Sequence, residues 1–189
     1  MAKKSTKVQQ DFSSTLFAAL LFIGVVFSCS VGDETDKANK LVNEGNAAID
    51  EGKKYLADAE AKKDKMLQTN VSQLDEARTI ANEAIRAYDQ AEEKAKEAAG
   101  KFEEASKLKI GDKYKEYLAL KVKEYNKRAE LVEALKATPQ ALIDSQSRSS
   151  FISRANEVTQ KVERLNKEAN DLEAQADKVQ KDNPDIFKK

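Results

Sequence analysis

From residue 38 onward the apolar positions of this 189-residue chain recur at intervals of three and four, the period of one face of an α-helix. The first stripe runs Ala38, Leu41, Gly45, Ala48, Gly52, Tyr55, Ala59 and Met66, widened by Ile49 and Leu56. Gly45, Ala48 and Gly52 are small where a bundle normally places leucine. A glycine inside a helix costs about 1 kcal/mol against alanine, so the spacing predicts a neighbouring backbone approaching closely there; the alternative is an exposed helix merely softened at these points. Thr69-Asn70-Val71 reads as a turn, and Ser72 with Asp75 three residues on reads as a helix start. The second stripe is the most regular: Leu74, Ala77, Ala81, Ala84, Tyr88, Ala91, Ala95, Ala98, Phe102, Ala105. Its 3-4 alternation is a heptad seam. With alanine at most positions, its stability has to come from close helix axes and from length, about 35 residues or roughly 50 Å.

Gly111 is expected to cap the end of this helix and Asp112 to cap the next. The third stripe carries Tyr114, Leu118, Val122, Tyr125, Ala129, Val132 and Leu135, flanked by Tyr117 and Leu131, and is the most aromatic. Thr138-Pro139 is expected to end it and to start a further helix, with threonine as cap and proline in the first position. The segment 144–150 is polar and serine-rich, a kink or a loop. A last seam follows: Ile152, Ala155, Val158, Val162, Leu165, Ala169, Leu172, Ala176, Val179, stopped at Asn183-Pro184. Acid-before-base pairs four apart decorate the helices, among them Asp58–Lys62, Glu92–Lys96, Glu103–Lys107, Glu124–Arg128 and Glu163–Lys167, each expected on a solvated face. The fold class is therefore all-α: an elongated antiparallel helical bundle or coiled coil of three to four long helices. Residues 38–182 form the bundle and 183–189 a polar tail.

Composition agrees and removes several chemistries. Charged residues make up 35% of the chain, with two prolines, six glycines and no tryptophan. There is no histidine, which excludes histidine-based triads, Glu-x-x-His di-iron sites and the usual zinc sites. No phosphate-cradling glycine loop or calcium loop is present. Carboxylates are plentiful but alternate with lysine, so no catalytic residue and no metal ligand is nominated. The expectation is a protein that is not an enzyme and needs no cofactor. Removing Lys3, Lys4, Lys7 and Asp11 with residues 1–28 leaves 30 basic and 32 acidic groups, net −2. That balance gives no footprint for nucleic acid or for an anionic membrane surface.

The first 32 residues behave differently. Phe12 to Gly32 carries no charge, and Leu16 to Phe27 is wholly apolar or glycine, with three lysines ahead and Asp33, Glu34 and Asp36 behind. A basic head, an apolar run of about a dozen residues and small residues at its end describe a secretory signal. A spanning helix wants about 20 apolar residues, and an uncleaved single-pass anchor is the alternative. Either way the lysine bias sends the rest of the chain out of the cytoplasm. The chain's one cysteine, Cys29, stands at the end of this run. A lone cysteine cannot form an internal disulfide.

Val26-Phe27-Ser28-Cys29 resembles the lipobox of bacterial lipoprotein precursors, in which an aliphatic and a small residue precede the cysteine. The resemblance implies cleavage between Ser28 and Cys29, a lipid thioether on Cys29 and acylation of the new N-terminus, with palmitate a typical chain. Residues 1–28 would be the signal and 29–37 a tether. The protein would sit in the cell membrane or outer membrane with its body outside the cytoplasm. The C-terminal Phe187-Lys188-Lys189 is similar to the end of the murein lipoprotein, which implies Lys189 as a point of cell-wall attachment. The expected role is structural or protein-interacting, with envelope proteins, peptidoglycan or a second copy of the chain as partners. The alternative is a binding module or chaperone-like bundle that holds apolar ligands or client proteins in a groove.

Overall fold

The computed structural model describes residues 33–69, 73–145 and 148–187, nearly all of them in four helices. These are α1 (Thr35–Gln68), α2 (Leu74–Ser106), α3 (Asp112–Asp144) and α4 (Arg148–Asp182), followed by a 3-10 turn, Pro184–Phe187. No strand occurs among the described residues. Each helix has 33 to 35 residues, or about 50 Å of rise. The chain is an all-α helical bundle whose helices pack in sequence order. Each lies antiparallel on its neighbour in the chain. α1 approaches α3 only slightly, and α4 rests chiefly on α3 without closing against α1. The starts of α1 and α3 and the ends of α2 and α4 therefore share one end of the molecule, the near end; the two other connections lie at the far end.

The small residues of the first seam bring α1 close to α2. A Cβ placed on Gly45 would sit 3.0 Å from the Phe102 ring, and one on Gly52 would sit 3.1 Å from Lys94 Cβ. The glycines admit those side chains; the close approach expected from the spacing is made by side chains of α2, with backbone near only at Gly52, where the Ala91 carbonyl oxygen would lie 3.6 Å from the Cβ. Two ion pairs a heptad apart line the same joint, Lys101 to Glu44 at 2.9 Å and Lys94 to Glu51 at 2.8 Å. α2 buries its whole alanine seam except Leu74, which is 42% exposed, and Ala95, which is half-buried. It also buries Ile80, Ala87 and Ala99, because it packs between α1 and α3 and needs two apolar faces.

Four expectations change. α3 does not stop at Thr138; it runs through Pro139 to Asp144. The proline forfeits one backbone bond, but Pro139 and Ala141 are buried, and Leu142 and Ile143 pack on Met66 and Ile80. That burial offsets the break. Asp112 is the first residue of α3 rather than its cap, and Gly111 is not a left-handed cap of α2. Its φ of −60° and ψ of 145° make it the extended residue that opens α3, while α2 ends at Ser106 and residues 107–110 form the turn. Finally, Glu124–Arg128 is not a solvated pair, because Glu124 is 0% and Arg128 6% exposed. The expected cap Ser72 lies outside the described residues, and Gln73 precedes α2 without a side-chain cap bond.

Candidate functional site

Ser28, Cys29 and Lys189, the residues the sequence nominates, lie outside the described residues. The structure does show what surrounds the points where the body leads to them. At the near end Glu34 and Lys109 are bonded twice: the Glu34 N–H donates to the Lys109 carbonyl at 3.0 Å, and the Lys109 N–H donates to Glu34 Oε2 at 3.0 Å. The backbone bond from Lys109 holds the Glu34 carboxyl below its usual range, against the opposing effect of desolvation. Tyr114 Oη donates to Asn39 Oδ1 at 2.7 Å, and burial pushes its pKa up to about 12. The Phe187 ring stands edge-on to Tyr114 and Tyr117, with centroids 5.5 and 4.9 Å away. The beginning of α1 and the turn after α4 thus meet at the start of α3.

The second feature is the buried charge between α3 and α4. Lys121 Nζ donates to Glu124 Oε2 at 2.6 Å, and Arg128 Nε donates to Glu124 Oε1 at 2.8 Å. Arg128 Nη2 reaches across to Glu173 Oε2 on α4 at 2.9 Å. Tyr125 lies under both cations, its ring centroid 4.9 Å from Lys121 Nζ and 5.9 Å from Arg128 Cζ. Burial opposes the charge on Arg128, but the two glutamates outweigh it and raise its pKa. Burial, then Glu124, raises that of Tyr125. Two bases face two acids, so the cluster is neutral and its hydrogen bonds run inward. It joins helices and leaves no charge to meet a ligand.

The signal for this cluster was present in the sequence. Tyr117, Lys121, Glu124, Arg128, Leu131 and Leu135 follow a 4-3-4-3-4 spacing, a second helical stripe beside the apolar seam. A helix that packs on two neighbours needs two such stripes, and this one faces α4. Read by charge alone, it looked like a solvent face.

An apolar void of about 40 Å³ lies where α1, α2 and α3 converge, bounded by Ile49, Gly52, Ala91, Ala95, Tyr125 and Val132 among others. At 10–15 Å³ for each water, it has room for about three waters and none for a client chain. A wider, solvent-open groove of about 590 Å³ runs between the start of α3 and the end of α4. Lys113, Lys123 and Lys178 share it with Glu116 and Asp182, so its walls are mixed in charge rather than apolar. Among the described residues no group of three acids, histidines or cysteines is placed to hold a metal, and no helix is long and apolar enough to cross a membrane. No protein-family model, curated protein or solved structure matches this chain.

Proposed function

We propose that this chain is a membrane-anchored helical lipoprotein of a bacterial envelope, with its body outside the cytoplasm and a structural or protein-interaction role. The observation that carries this reading is the uncharged stretch Phe12–Gly32, preceded by three lysines and holding the chain's one cysteine at Cys29. A lipid on Cys29 would hold the near end at a membrane, and four antiparallel helices would project about 50 Å from it. The role is physical: a fixed foot, a set reach and a surface for partners at the far end. Peptidoglycan attachment through Lys189 is a narrower form of the same proposal. Because Phe187 is docked on Tyr114 and Tyr117, such a link would leave from the near end. It would hold the wall close to the membrane rather than a helix length away.

The test is the intact mass of the protein purified from its native membrane, beside a Cys29→Ala form. A mass for residues 29–189 plus a lipid adduct, absent from the variant, is the expected result. A full-length unmodified mass would sink the lipoprotein and leave a single-pass membrane protein.

A further inference from the structure

We propose that α4 and the turn after it form a releasable strap, latched at the near end, through which the anchored chain lengthens under load. The inference deepens the anchoring reading above and rests on it. α4 packs chiefly on α3. Among its described side chains only Leu165, Ala169 and Ala176 are buried, and from Ser150 to Arg164 none is. α1, the other outer helix, buries eight residues. The apolar core divides in the same way. The clusters around Tyr88 and around Met66 take no residue from α4. The largest takes one buried residue from it, Ala176, with Val179, Ile186 and Phe187 packed against the side. Only the cluster of Leu131, Ala134 and Leu165 depends on α4 being docked. Lifting α4 therefore leaves most of the core of α1, α2 and α3 in place.

The strip of α3 beneath α4 is polar in its middle. Arg128 and Lys127 bond across to Glu173 and Glu168 at 2.9 and 3.3 Å. When α4 leaves, Lys121 and Arg128 keep their bonds to Glu124 within α3. Water then reaches all three, and their desolvation is recovered as the helix lifts. An apolar seam of the same length regains nothing on wetting. The load also enters at the weak place. Phe187, edge-on to Tyr114 and Tyr117, is two residues from Lys189. Glu34, bonded twice to Lys109, is five residues from Cys29. Both ends of the chain leave the near end, so tension between a lipid on Cys29 and a wall link at Lys189 peels the outer helices row by row instead of shearing them. α4, with fewer buried side chains, yields before α1. With α4 docked the two anchors stand side by side; with α4 lifted, α3 and α4 end to end span about 100 Å. The strap holds wall and membrane close at rest and lengthens when they separate.

Optical tweezers on the full chain test this, with one handle on Cys29 of the unlipidated protein in mild detergent and the other on a cysteine placed by Lys189→Cys. The handles stand in for the lipid and the wall link. The expected first event is a reversible lengthening of about 100 Å or more, at a lower force than opens α1, α2 and α3. Phe187→Ala removes both ring contacts of the latch and shortens the docked lifetime at constant force about tenfold. Leu165→Ala, in the cluster between α3 and α4, shortens it further. Val42→Ala, buried on α1, leaves the first event unchanged. A single rupture that opens the whole chain overturns the strap. So does a first event that answers to Val42→Ala and not to Phe187→Ala, since α1 would then be the helix that yields. Neither result touches the anchoring reading, which falls instead, and takes the load with it, on a full-length unmodified mass for the native protein.

Discussion

Replacing Arg128 with methionine takes one charge from a cluster that is neutral as built. The variant leaves Glu124 and Glu173 against Lys121 alone, with Glu124 fully buried. Deleting one partner of a buried pair costs about 3–5 kcal/mol. Two details set the lower end of that range. Lys121 still donates to Glu124 Oε2, and the Glu173 side chain is 37% exposed, so water replaces its lost bond. A loss of about 3 kcal/mol corresponds to a fall in Tm of about 6–12 °C for a domain of this size.

The companion variant removes both charges, Glu124→Met with Arg128→Met. Apolar replacement of a buried pair is often neutral or stabilising, and the long Lys121 stem can carry its ammonium outward to water. The double variant is expected within about 1 kcal/mol of the parent. Urea unfolding followed by far-ultraviolet circular dichroism, arranged as a double-mutant cycle, measures all three. If Arg128→Met loses less than about 1 kcal/mol, the cluster behaves as a surface pair and its sealing is wrong. A double variant no better than the single one would show that lost packing, not stranded charge, sets the cost.

The glycines separate cleanly. Gly100→Ala on α2 meets nothing within 4 Å and should gain about 0.5–1 kcal/mol, whereas Gly45→Leu, driven into the Phe102 ring, should lose about 1–3 kcal/mol; both show as shifts in the urea midpoint. Burial raises the pKa values of Tyr88, Tyr114, Tyr117 and Tyr125 above 10.0. Above pH 10 the unfolded chain releases those protons first, so stability is full below that value and falls as pH climbs through about 12, the folded value of Tyr114. Tyrosinate absorbance should rise together with the loss of helix; ionisation at an ordinary pKa with the helices intact would refute the burial. Leu67, Leu74 and Ile152 are 52%, 42% and 46% exposed, all toward the far end. Hydrogen exchange should open that end first, and uniform protection along α1 and α2 would contradict it.

Helix number, order and most core positions could be read from the sequence because heptad spacing is redundant: one misplaced residue does not hide a seam of ten. The close approach at Gly45 and Gly52 was legible for the same reason, since two small residues at seam positions leave room that a neighbour must fill. What escaped depended on facts outside the local window. Pro139 looked like a boundary because local rules weigh only its missing N–H, while the compensation comes from Leu142 and Ile143 meeting Met66 and Ile80 on other helices. Gly111 looked like a left-handed cap because residue type does not report φ. Glu124 and Arg128 escaped because charge outvoted their spacing. The nominated Cys29 and Lys189 were chosen on sequence motifs and have no structural counterpart among the described residues.

The charges on α3 also settle a question that the apolar seams leave open. α4 rests chiefly on α3, and its seam of Leu165, Ala169, Leu172, Ala176 and Val179 is close to repetitive. Sliding α4 by one heptad would set alanine against alanine again at little cost in burial. The polar partners do not survive the slide. Position 173 would be taken by Asn166 or Gln180, a neutral amide facing Arg128, and the buried cluster would be left net positive. Lys127, 3.3 Å from Glu168 on α4, would face Lys161 or Gln175 instead. An uncompensated charge in that setting costs several kcal/mol, more than the difference between two alanine contacts. One register satisfies both cations, and it is the register that seats Phe187 on Tyr114 and Tyr117 at the near end.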